Sequence, residues 1–288
     1  MATSVVGGKI PETQEDQLDA PEYPGFCPQI SLGGTAGCSV WEGEIAGHGT
    51  FVLKTHSPGR GWQQEWNALR SVEKLDLPVR ISCPRIVPGC DQPPTLLMSK
   101  LPGLNMAHHS FPMEAWSQAT RLAARFLQSY QQQAFIDDDS VPLSQALPLR
   151  LERWIQQGKE ILHEREIAIA KDRVGDGSLF KNQSRVPCHN DFQPRNWLWD
   201  GQQLSVIDFE HSHPNHPAFD WVRLETGLWQ KMPQLKDEFV DEWGCTPSWA
   251  SPEVLDATIA IYAIGCIVWG NRHKDREFIS EGRRILDE

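Results

Sequence analysis

One stretch of the chain, residues 186 to 210, constrains the fold more than any other. His189, Asp191 and Asn196 follow an H-x-D-x-x-x-x-N spacing, and Asp208-Phe209-Glu210 begins twelve residues after the asparagine, behind a short apolar run. A tight loop followed by a hairpin would bring the two acids and the amide back to one point. Hard oxygen ligands of this kind suit Mg²⁺ bound together with phosphate groups. The stretch therefore predicts a metal-phosphate site.

The region before this stretch begins with short apolar segments separated by glycine. Alternating β-formers from Gln29 onwards predict three antiparallel strands, with a glycine-rich turn at 33–39 and Lys54 near the end of the third strand. The backbone N–H groups of such a turn can approach phosphate oxygens, because no Cβ blocks them. Apolar residues at helical spacing then predict an amphipathic helix over 61–75 that carries Glu65. A strand–loop–helix unit lets Glu65 fold back and pair with Lys54.

A predicted buried strand over 95–101 runs into a turn at Pro102-Gly103, where we place the boundary between two lobes. Most of the chain after this turn has helical periodicity. The predicted helices lie at 111–133, at 149–171, from 217 onwards, within 229–249 and at 254–269, the last one capped by Ser251 with Pro252 at its first position. The second lobe is therefore expected to be mainly helical.

The order of these parts resembles that of the aminoglycoside phosphotransferase and choline kinase superfamily, small-molecule relatives of the protein kinases. The parts are the glycine-rich hairpin, the strand lysine, the helix glutamate, the connector strand, the H-x-D-x-x-x-x-N loop and the Asp-Phe-Glu triplet. The resemblance covers about residues 29 to 270. It implies an α+β, bilobal, protein-kinase-like fold, with a small antiparallel-sheet N-lobe that holds one helix and a larger, mainly helical C-lobe. The implied divisions are a poorly ordered N-terminus (1–28), a nucleotide-binding N-lobe (29–102) and a C-lobe with the catalytic loop and acceptor site (103–288).

The resemblance implies a kinase that uses ATP, or GTP as the alternative nucleotide, together with Mg²⁺. Asp191 matches the catalytic aspartate, which orients or deprotonates the acceptor hydroxyl, and Asn196 and Asp208 match the two magnesium ligands. Lys54 matches the strand lysine that holds the α- and β-phosphates, and Glu65 matches the helix partner that aims it. A buried lysine without a counter-ion would tend to lose its proton, so the pair is chemically consistent.

Four further positions are implied to contact the nucleotide. Adenine is expected at the connector, against the backbone carbonyl of Ser99 and the backbone amide of Leu101. Gly34 and Ser39 belong to the expected phosphate loop. These positions would enclose the nucleotide between the two predicted lobes.

Two residues of the motif region are expected to support the catalytic loop rather than to react. His189 would pack and hydrogen-bond, and Asp220 would accept loop N–H groups. Members of the superfamily commonly carry glycine where this chain has Asn190 and Arg195, so the loop departs from the pattern at two points. Glu210 stands where protein kinases have glycine, and the short run to Asp220 leaves no room for a protein-kinase activation segment. Both features favour the small-molecule branch.

The charge of the chain bears on the acceptor. A formal net charge of -11 without a cluster of Lys and Arg disfavours nucleic acid as a partner and suits a cationic small molecule. An aminoglycoside or a basic peptide antibiotic is the first expectation for the hydroxyl acceptor, followed by choline or another metabolic alcohol. The candidate acceptor-binding groups are acidic, or aromatic for cation–π contact: Asp137, Asp138, Asp139, Glu210, Glu225, Trp116, Trp221 and Trp229.

The cysteines and the N-terminus bear on location. Seven scattered cysteines without a C-x-x-C pair predict free thiols in a reducing cytoplasm. The first 22 residues lack the basic start and apolar run of a signal peptide, and no stretch approaches about 18 apolar residues. A cytoplasmic protein away from membranes is therefore expected, as a monomer or a homodimer.

Two other classes of protein fit part of the sequence. His211, His213 and His216 form an H-x-H pair with a third histidine, which is typical of a zinc hydrolase. A nucleotide-binding pseudoenzyme on the same fold would usually lack the catalytic aspartate, a metal ligand or the strand lysine. All three are present here, which favours an active enzyme.

Overall fold

The computed structural model describes residues 23–35, 38–89 and 93–287. Most of the head that was predicted to be poorly ordered, residues 1–22, lies outside the described residues. Strand β1 (Phe26–Thr35) begins three residues before the predicted start of the N-lobe at 29. Phe26 is buried in a small core with Leu53 and Leu97, and this apolar contact accounts for the earlier start.

The N-lobe consists of one sheet and one helix. The sheet is antiparallel, with its strands in the order β1, β2 (Cys38–Ile45), β3 (Gly49–Thr55) and β5 (Thr95–Ser99). Helix α1 (Gly61–Val72) follows β3 and buries Glu65 among apolar residues on its inner face. Lys54 therefore lies on a central strand, and Glu65 faces the interior.

A second small sheet joins the two lobes. Its order is β4 (Ile81–Ser82), β9 (Leu204–Val206), β8 (Trp197–Trp199) and β6 (Leu104–Asn105). Strands β8 and β9 are the hairpin predicted after Asn196. Strand β4 belongs to the segment before the predicted boundary at 102 but pairs in parallel with β9. The hairpin of the C-lobe is thus fixed to both lobes.

The C-lobe is mainly helical. Its helices are α2 (Met113–Gln131), α3 (Leu143–Gln157), α4 (Glu164–Val174), α5 (Ala218–Arg223), α6 (Trp229–Lys231), α7 (Gln234–Trp243), α8 (Pro252–His273) and α9 (Arg276–Asp287), with a π-helical segment, Leu224–Leu228, joining α5 to α6. Strand β7 (Val186–Cys188) pairs antiparallel with β10 (His213–Asn215) and leads directly into His189. The loop that carries Asp191 thus starts from a strand that is held in place by the segment after the Asp-Phe-Glu triplet.

The helix predicted over 149–171 is wrong, because the chain forms two helices there. Helix α3 begins earlier, at Leu143, and ends at Gln157, and α4 begins at Glu164. The break is explained by close packing at Gly158, where an added Cβ would lie 2.5 Å from Val268 and 2.8 Å from Leu162. Helix α9, which was not predicted, packs on α8.

Helix α8 forms the core of the C-lobe. Ser251 caps it as predicted, accepting a hydrogen bond from the Val254 N–H at 3.3 Å, and Pro252 is its first residue. Within the described parts of the chain, α8 is the one helix long and apolar enough to cross a membrane, but 61% of its apolar window is buried inside the protein. That burial is typical of the core helix of a globular lobe.

Candidate active site

The strand lysine lies at the centre of a buried cluster of charges. Lys54 exposes 4% of its surface, and its Nζ lies 2.9 Å from Glu65 Oε2, 2.6 Å from Asp208 Oδ1 and 3.0 Å from Glu210 Oε2. Burial by itself would lower the pKa of Lys54, but Glu65 first and then the other two carboxylates raise it well above its usual value. The structure thus brings strand β3, helix α1 and the Asp-Phe-Glu triplet together around one ammonium group.

A bend in the Asp-Phe-Glu triplet directs both of its acids to this lysine. Asp208 has a φ of 66°, so the chain turns sharply after β9. Phe209 is buried, and its N–H donates to Glu65 Oε1 at 3.3 Å. Its ring packs on His189, with the ring centroids 4.7 Å apart. Because Phe209 is anchored in this way, the acids on either side of it are held at Lys54.

The loop aspartate is buried and surrounded by hydrogen-bond donors. Arg223 Nη2 lies 3.0 Å from Asp191 Oδ1, and Arg195 Nη2 lies 2.8 Å from Oδ2. Gln193 donates to Oδ1 at 2.6 Å, and Asn196 donates to Oδ2 at 2.9 Å. Burial would raise the pKa of Asp191, but Arg223 and then Arg195 outweigh it and lower the pKa to about 2. Asp191 is therefore a carboxylate at any physiological pH.

Asp220, at the start of α5, holds the first residues of the loop that carries Asp191. It accepts hydrogen bonds from the N–H groups of His189 at 3.2 Å and Asn190 at 2.6 Å, and from Gln131 Nε2 at 3.0 Å. Burial raises the pKa of Asp220 against the effect of these donors. The Nε2 atom of His189 lies 3.1 Å from the carbonyl oxygen of Ile207. In the structure, His189 and Asp220 thus have the contacts expected of loop-supporting residues.

Asn190, which replaces the usual glycine, ties the loop to the segment after the triplet. Its φ is 61°, a left-handed conformation that asparagine tolerates better than most side chains do. Its Nδ2 donates to the carbonyl oxygens of His211 at 3.1 Å and His213 at 3.0 Å, and its Oδ1 accepts from Asn215 Nδ2 at 2.6 Å. Asparagine therefore supplies both the backbone geometry of glycine and a bridge that glycine lacks.

Two variants should separate these contributions of Asn190. We expect Asn190→Ala to lower the free energy of unfolding by about 2–4 kcal/mol, through lost hydrogen bonds and left-handed strain. We expect Asn190→Gly to lose about 1–2 kcal/mol less, because glycine removes the strain. Urea unfolding measures both effects. Asn182→Ala is the matched control, because Asn182 has a similar φ of 63° but an exposed side chain. Equal losses for Asn190→Ala and Asn190→Gly would contradict the conformational part.

The positions predicted to contact the nucleotide lie in the N-lobe sheet and in the connector that follows it. Ser99 is the last residue of β5, and Leu101 lies in the connector before β6. Gly34 pairs with Ser39 across the β1–β2 hairpin. A Cβ at Gly34 would lie 2.2 Å from the carbonyl oxygen of Cys38, so this position requires glycine. Residues 36 and 37, at the tip of the predicted phosphate loop, lie outside the described residues.

Most acids predicted to bind the acceptor are paired with cations elsewhere in the fold. The buried Arg185 contacts Asp137 Oδ2 at 3.3 Å and Asp139 Oδ2 at 2.9 Å. Because Arg185 precedes β7, these acids and the neighbouring Asp138 lie at the end of the strand away from the catalytic loop. Glu225 pairs with Lys236 at 2.7 Å. Of the acids predicted to bind the acceptor, Glu210, which contacts Lys54, is the one brought next to the candidate site.

Two of the three tryptophans proposed for cation–π contact lie in the core. Trp221 exposes 1% of its surface and Trp229 3%, and their rings meet edge to face in an aromatic cluster with Phe239. An acceptor cannot reach them, so this part of the prediction is wrong. Trp116, on α2, is half-buried and packs against the main core.

The three histidines that favoured a zinc hydrolase have separate roles. His216 is fully buried, and its Nδ1 accepts the N–H of Ala218 at 3.2 Å. The Nδ1 atom of His213 lies 2.8 Å from the carbonyl oxygen of His211. In the described parts of the chain, the one group of side chains close enough to share a metal ion is a different one: His56, Glu65 and Glu210. A lysine already contacts both of those carboxylates, so the geometry provides no ligand set for catalytic zinc among the described residues.

Two residues that were not expected from the sequence contact the central groups. His56 Nε2 lies 3.1 Å from Glu65 Oε2 and so shares this glutamate with Lys54. Its position two residues after Lys54 is a signal that could have been used, because alternate residues of a strand share a face. Arg223, on α5, contacts Asp191 from below, and its guanidinium lies 4.9 Å from the centroid of the Tyr262 ring. No local pattern indicates that contact.

The fold and the site together define a class of protein. A kinase-like phosphotransferase has a small sheet lobe and a helical lobe with three parts between them. These parts are a lysine paired with a helix glutamate, a bent Asp-Phe-Glu triplet and a loop aspartate, and all three are present here. The short connection between the triplet and α5 distinguishes this chain from protein kinases.

The chain belongs to the APH phosphotransferase enzyme family, whose sequence model matches residues 39–255, and it is a small-molecule phosphotransferase. Among solved structures, the complex of APH(2'')-IIa with gentamicin is 16% identical, with a TM-score of 0.65 over 90% of each chain. The GDP complex of aminoglycoside 2'-phosphotransferase-IIIa is 17% identical, with a TM-score of 0.64 over 92% of this chain and 93% of that chain. A thermostable mutant of APH(4)-Ia with ADP and hygromycin B is 13% identical, with a TM-score of 0.69 over 91% of this chain and 94% of that chain. No curated protein sequence matches the chain.

Proposed function

We propose that this protein is an ATP- and Mg²⁺-dependent O-phosphotransferase that moves the γ-phosphoryl group to a hydroxyl of a small acceptor. The observation that supports this most is the contact of Lys54 Nζ with both Glu65 at 2.9 Å and Asp208 at 2.6 Å. This contact supports the proposal because it joins the lysine proposed to hold the phosphates to the acid proposed to bind the metal. Asp191 then orients the acceptor hydroxyl and receives its proton. GTP is the alternative donor.

The residues present fit a magnesium ion. Asn196 uses its Nδ2 to donate to Asp191, which leaves its Oδ1 for a cation. Asp208 is 34% exposed and contacts Lys54 through Oδ1, which leaves Oδ2 for the same purpose. Mg²⁺ commonly takes one or two oxygen ligands from protein and the rest from phosphates and water. Asn196 and Asp208 would therefore hold the ion, which would neutralise phosphate charge.

The acceptor is proposed to be a small cationic molecule with hydroxyl groups, an aminoglycoside or a basic peptide antibiotic first. Structures of the same fold contain gentamicin or hygromycin B, and the net charge of -11 favours cations. Below Asp191, Glu281 on α9 is 38% exposed and lies 4.0 Å from Arg223, which makes it a more direct candidate for an ammonium group than Asp137 to Asp139. Choline or another metabolic alcohol is the second choice.

A panel of acceptors tests this proposal. The purified protein is mixed with ATP, Mg²⁺ and, in turn, aminoglycosides, basic peptide antibiotics, amino alcohols and neutral polyols, and each product is analysed by mass spectrometry. We expect a gain of one phosphate on a cationic acceptor and none with Asp191→Ala. A gain on neutral acceptors alone would refute the charge argument. A gain that survives Asp191→Ala would refute the assigned chemistry.

Metal removal gives a separate prediction. We expect excess EDTA to lower the transfer rate by about 100-fold or more, and added Mg²⁺ to restore it, because a metal ion supplies several kcal/mol of charge stabilisation in such reactions. Asp208→Asn should raise the Mg²⁺ concentration needed for half-maximal rate. A transfer rate that does not change with EDTA would contradict the metal site.

The location is proposed to be the cytoplasm, where ATP is available and thiols stay reduced. Six of the seven cysteines are described by the structure, and all six are free: Cys27, Cys38, Cys83, Cys188, Cys245 and Cys266. The proposal would fail if fractionation of the native cells found the protein outside the cytoplasm.

A further inference from the structure

Every hydrogen-bond acceptor position of the Asp191 carboxylate is occupied in the structure. Its Oδ1 accepts from Gln193 at 2.6 Å and contacts Arg223 at 3.0 Å, and its Oδ2 accepts from Arg195 at 2.8 Å and from Asn196 at 2.9 Å. A carboxylate has about four lone-pair sites. All four are therefore taken, and an acceptor hydroxyl can donate to Asp191 only after one of the four donors leaves.

Arg195 is the donor that can leave most easily. Its side chain is 50% exposed, whereas that of Arg223 is 12% exposed and lies against the rings of Tyr262 and Phe278. Asn196 is buried and also donates to the backbone carbonyl of Asp191 at 2.8 Å. Gln193 is less exposed than Arg195. Water can solvate the exposed guanidinium once it leaves, so releasing Arg195 costs less free energy than releasing any of the three more buried donors.

The backbone of Arg195 stays fixed while its side chain moves. Its carbonyl oxygen accepts from Asn105 Nδ2 at 2.5 Å, and the next residue, Asn196, is held to Asp191 by two hydrogen bonds. The guanidinium of Arg195 can thus leave Asp191 by side-chain rotation without a shift of the loop backbone. Because that backbone stays beside Asp191, the positive charge remains within reach of a hydroxyl bound to Asp191.

We propose that Arg195 is a catalytic residue that occupies Asp191 in the resting enzyme and moves onto the transferred phosphoryl group when the acceptor hydroxyl displaces it. This inference rests on the proposed kinase function. The oxygen that takes the place of Arg195 on Asp191 is the one that bonds to the γ-phosphorus, so the guanidinium and the phosphoryl oxygens meet around the same atom. The fork of an arginine matches two phosphoryl oxygens, which a glycine at this position cannot do.

The charges of the site support a further cation during transfer. Among the described residues, Lys54 is the one ammonium or guanidinium group at Glu65, Asp208 and Glu210, and these three carboxylates already neutralise it. The incoming nucleotide adds more negative charge than one bound Mg²⁺ neutralises. In the step itself, the acceptor oxygen forms a bond to the γ-phosphorus and the bond to the bridging oxygen breaks, with its electron pair leaving on ADP. The hydroxyl proton passes to Asp191 and then to solvent. Arg195 stabilises the negative charge on the phosphoryl oxygens throughout.

Binding of MgADP with and without fluoroaluminate tests the proposal without a known acceptor, because fluoroaluminate mimics a phosphoryl group in transfer and water takes the place of the acceptor. Calorimetry measures both affinities for the whole protein. We expect fluoroaluminate to tighten MgADP binding to the wild-type protein. Arg195→Ala should reduce that tightening at least about tenfold, and Arg195→Lys should keep part of it. Loss of one charge-stabilising donor has an effect of about 10² to 10³ in other enzymes. The affinity for MgADP alone should change less than about threefold.

Arg121→Ala is the matched control, because Arg121 is 54% exposed and also pairs with a carboxylate, Glu238, at 3.3 Å. It should behave like the wild-type protein. Full tightening in Arg195→Ala, or no tightening in the wild-type protein, would overturn the role of Arg195. An effect of Arg195→Ala on the KM of the acceptor alone would overturn it in favour of acceptor recognition. A wild-type protein that does not bind MgADP would instead refute the proposed kinase function.

Discussion

Asp191→Asn is expected to lower kcat about 10²- to 10⁴-fold, because the amide can neither receive the hydroxyl proton nor orient the hydroxyl as a carboxylate does. Asparagine keeps the shape of the side chain. The affinity for MgATP should therefore stay within about threefold, since Lys54, the residue proposed to hold the phosphates, contacts Asp208 and not Asp191. Steady-state kinetics with the acceptor identified by the panel, and calorimetry for MgATP, measure the two quantities.

The same variant should also lose stability. Arg223 is nearly buried and would lose its charged partner at 3.0 Å, which in buried ion pairs costs about 3–5 kcal/mol. Urea unfolding measures this loss, and kinetics should be recorded without urea at a temperature where the variant is folded. Asp172→Asn, at an exposed position on α4, is the control and should change neither rate nor stability. If Asp191→Asn kept its rate within tenfold, Asp191 would not be the catalytic aspartate.

Lys54→Met is expected to lower kcat/KM for ATP by about 10²-fold or more, because the variant loses the charge that holds the phosphates. Methionine has nearly the same length and leaves no cavity. The variant should change the KM for ATP and leave the affinity for the acceptor unchanged. Lys171→Met is the control: Lys171 also pairs with a glutamate, Glu152, at 3.1 Å, but its side chain is 53% exposed. An ATP-dependent rate unaffected by Lys54→Met would refute the assignment.

The loss of stability in Lys54→Met should depend on pH. In the wild-type protein, burial would raise the pKa of Glu65, but Lys54 and then His56 lower it to about 2, against the usual 4.5. The pairing thus stabilises the fold fully above pH 4.5, and this stabilisation is lost as the pH falls towards 2. Without the ammonium group, burial and neighbouring acids should raise the pKa of Glu65 above its usual value. The free energy of unfolding should therefore differ less between wild type and variant at pH 4 than at pH 7. An equal or larger difference at pH 4 would contradict the pairing of Glu65 with Lys54.

Much of the fold could be predicted because its signals are local. The Ser251-Pro252 cap sets the start of α8, and the alternating residues of the first three strands set the N-lobe sheet. The helix predicted at 149–171 failed for a tertiary reason. Gly158 ends α3 where α8 passes too close for a side chain, and nothing in the local sequence shows the position of Val268.

The candidate site was also predictable where its signals are local and not where distant residues decide. His189, Asp191 and Asn196 are close together because a short loop carries them, and the superfamily resemblance directed attention to Lys54 and Glu65. The sequence did not show which acids have no cation as a partner and so remain available for an acceptor. Arg185, 48 residues after Asp137, pairs with Asp137 and Asp139 and so removes their charges from the acceptor argument.

The sequence by itself determined the order of the parts and most of the local elements, because loops, caps and alternating strands depend on neighbouring residues, and its resemblance to the superfamily implied the class of fold. Only the tertiary structure decided that Lys54 contacts an acid 154 residues away, that Asn190 bridges two segments, and that Arg195 and Arg223 surround Asp191. The free energy of a charge depends on which other charges and how much water surround it, and folding alone sets those distances. In residues 186 to 210, the superfamily resemblance therefore pointed to Asp191 as the proposed catalytic carboxylate, and the fold supplied the two arginines that keep it charged.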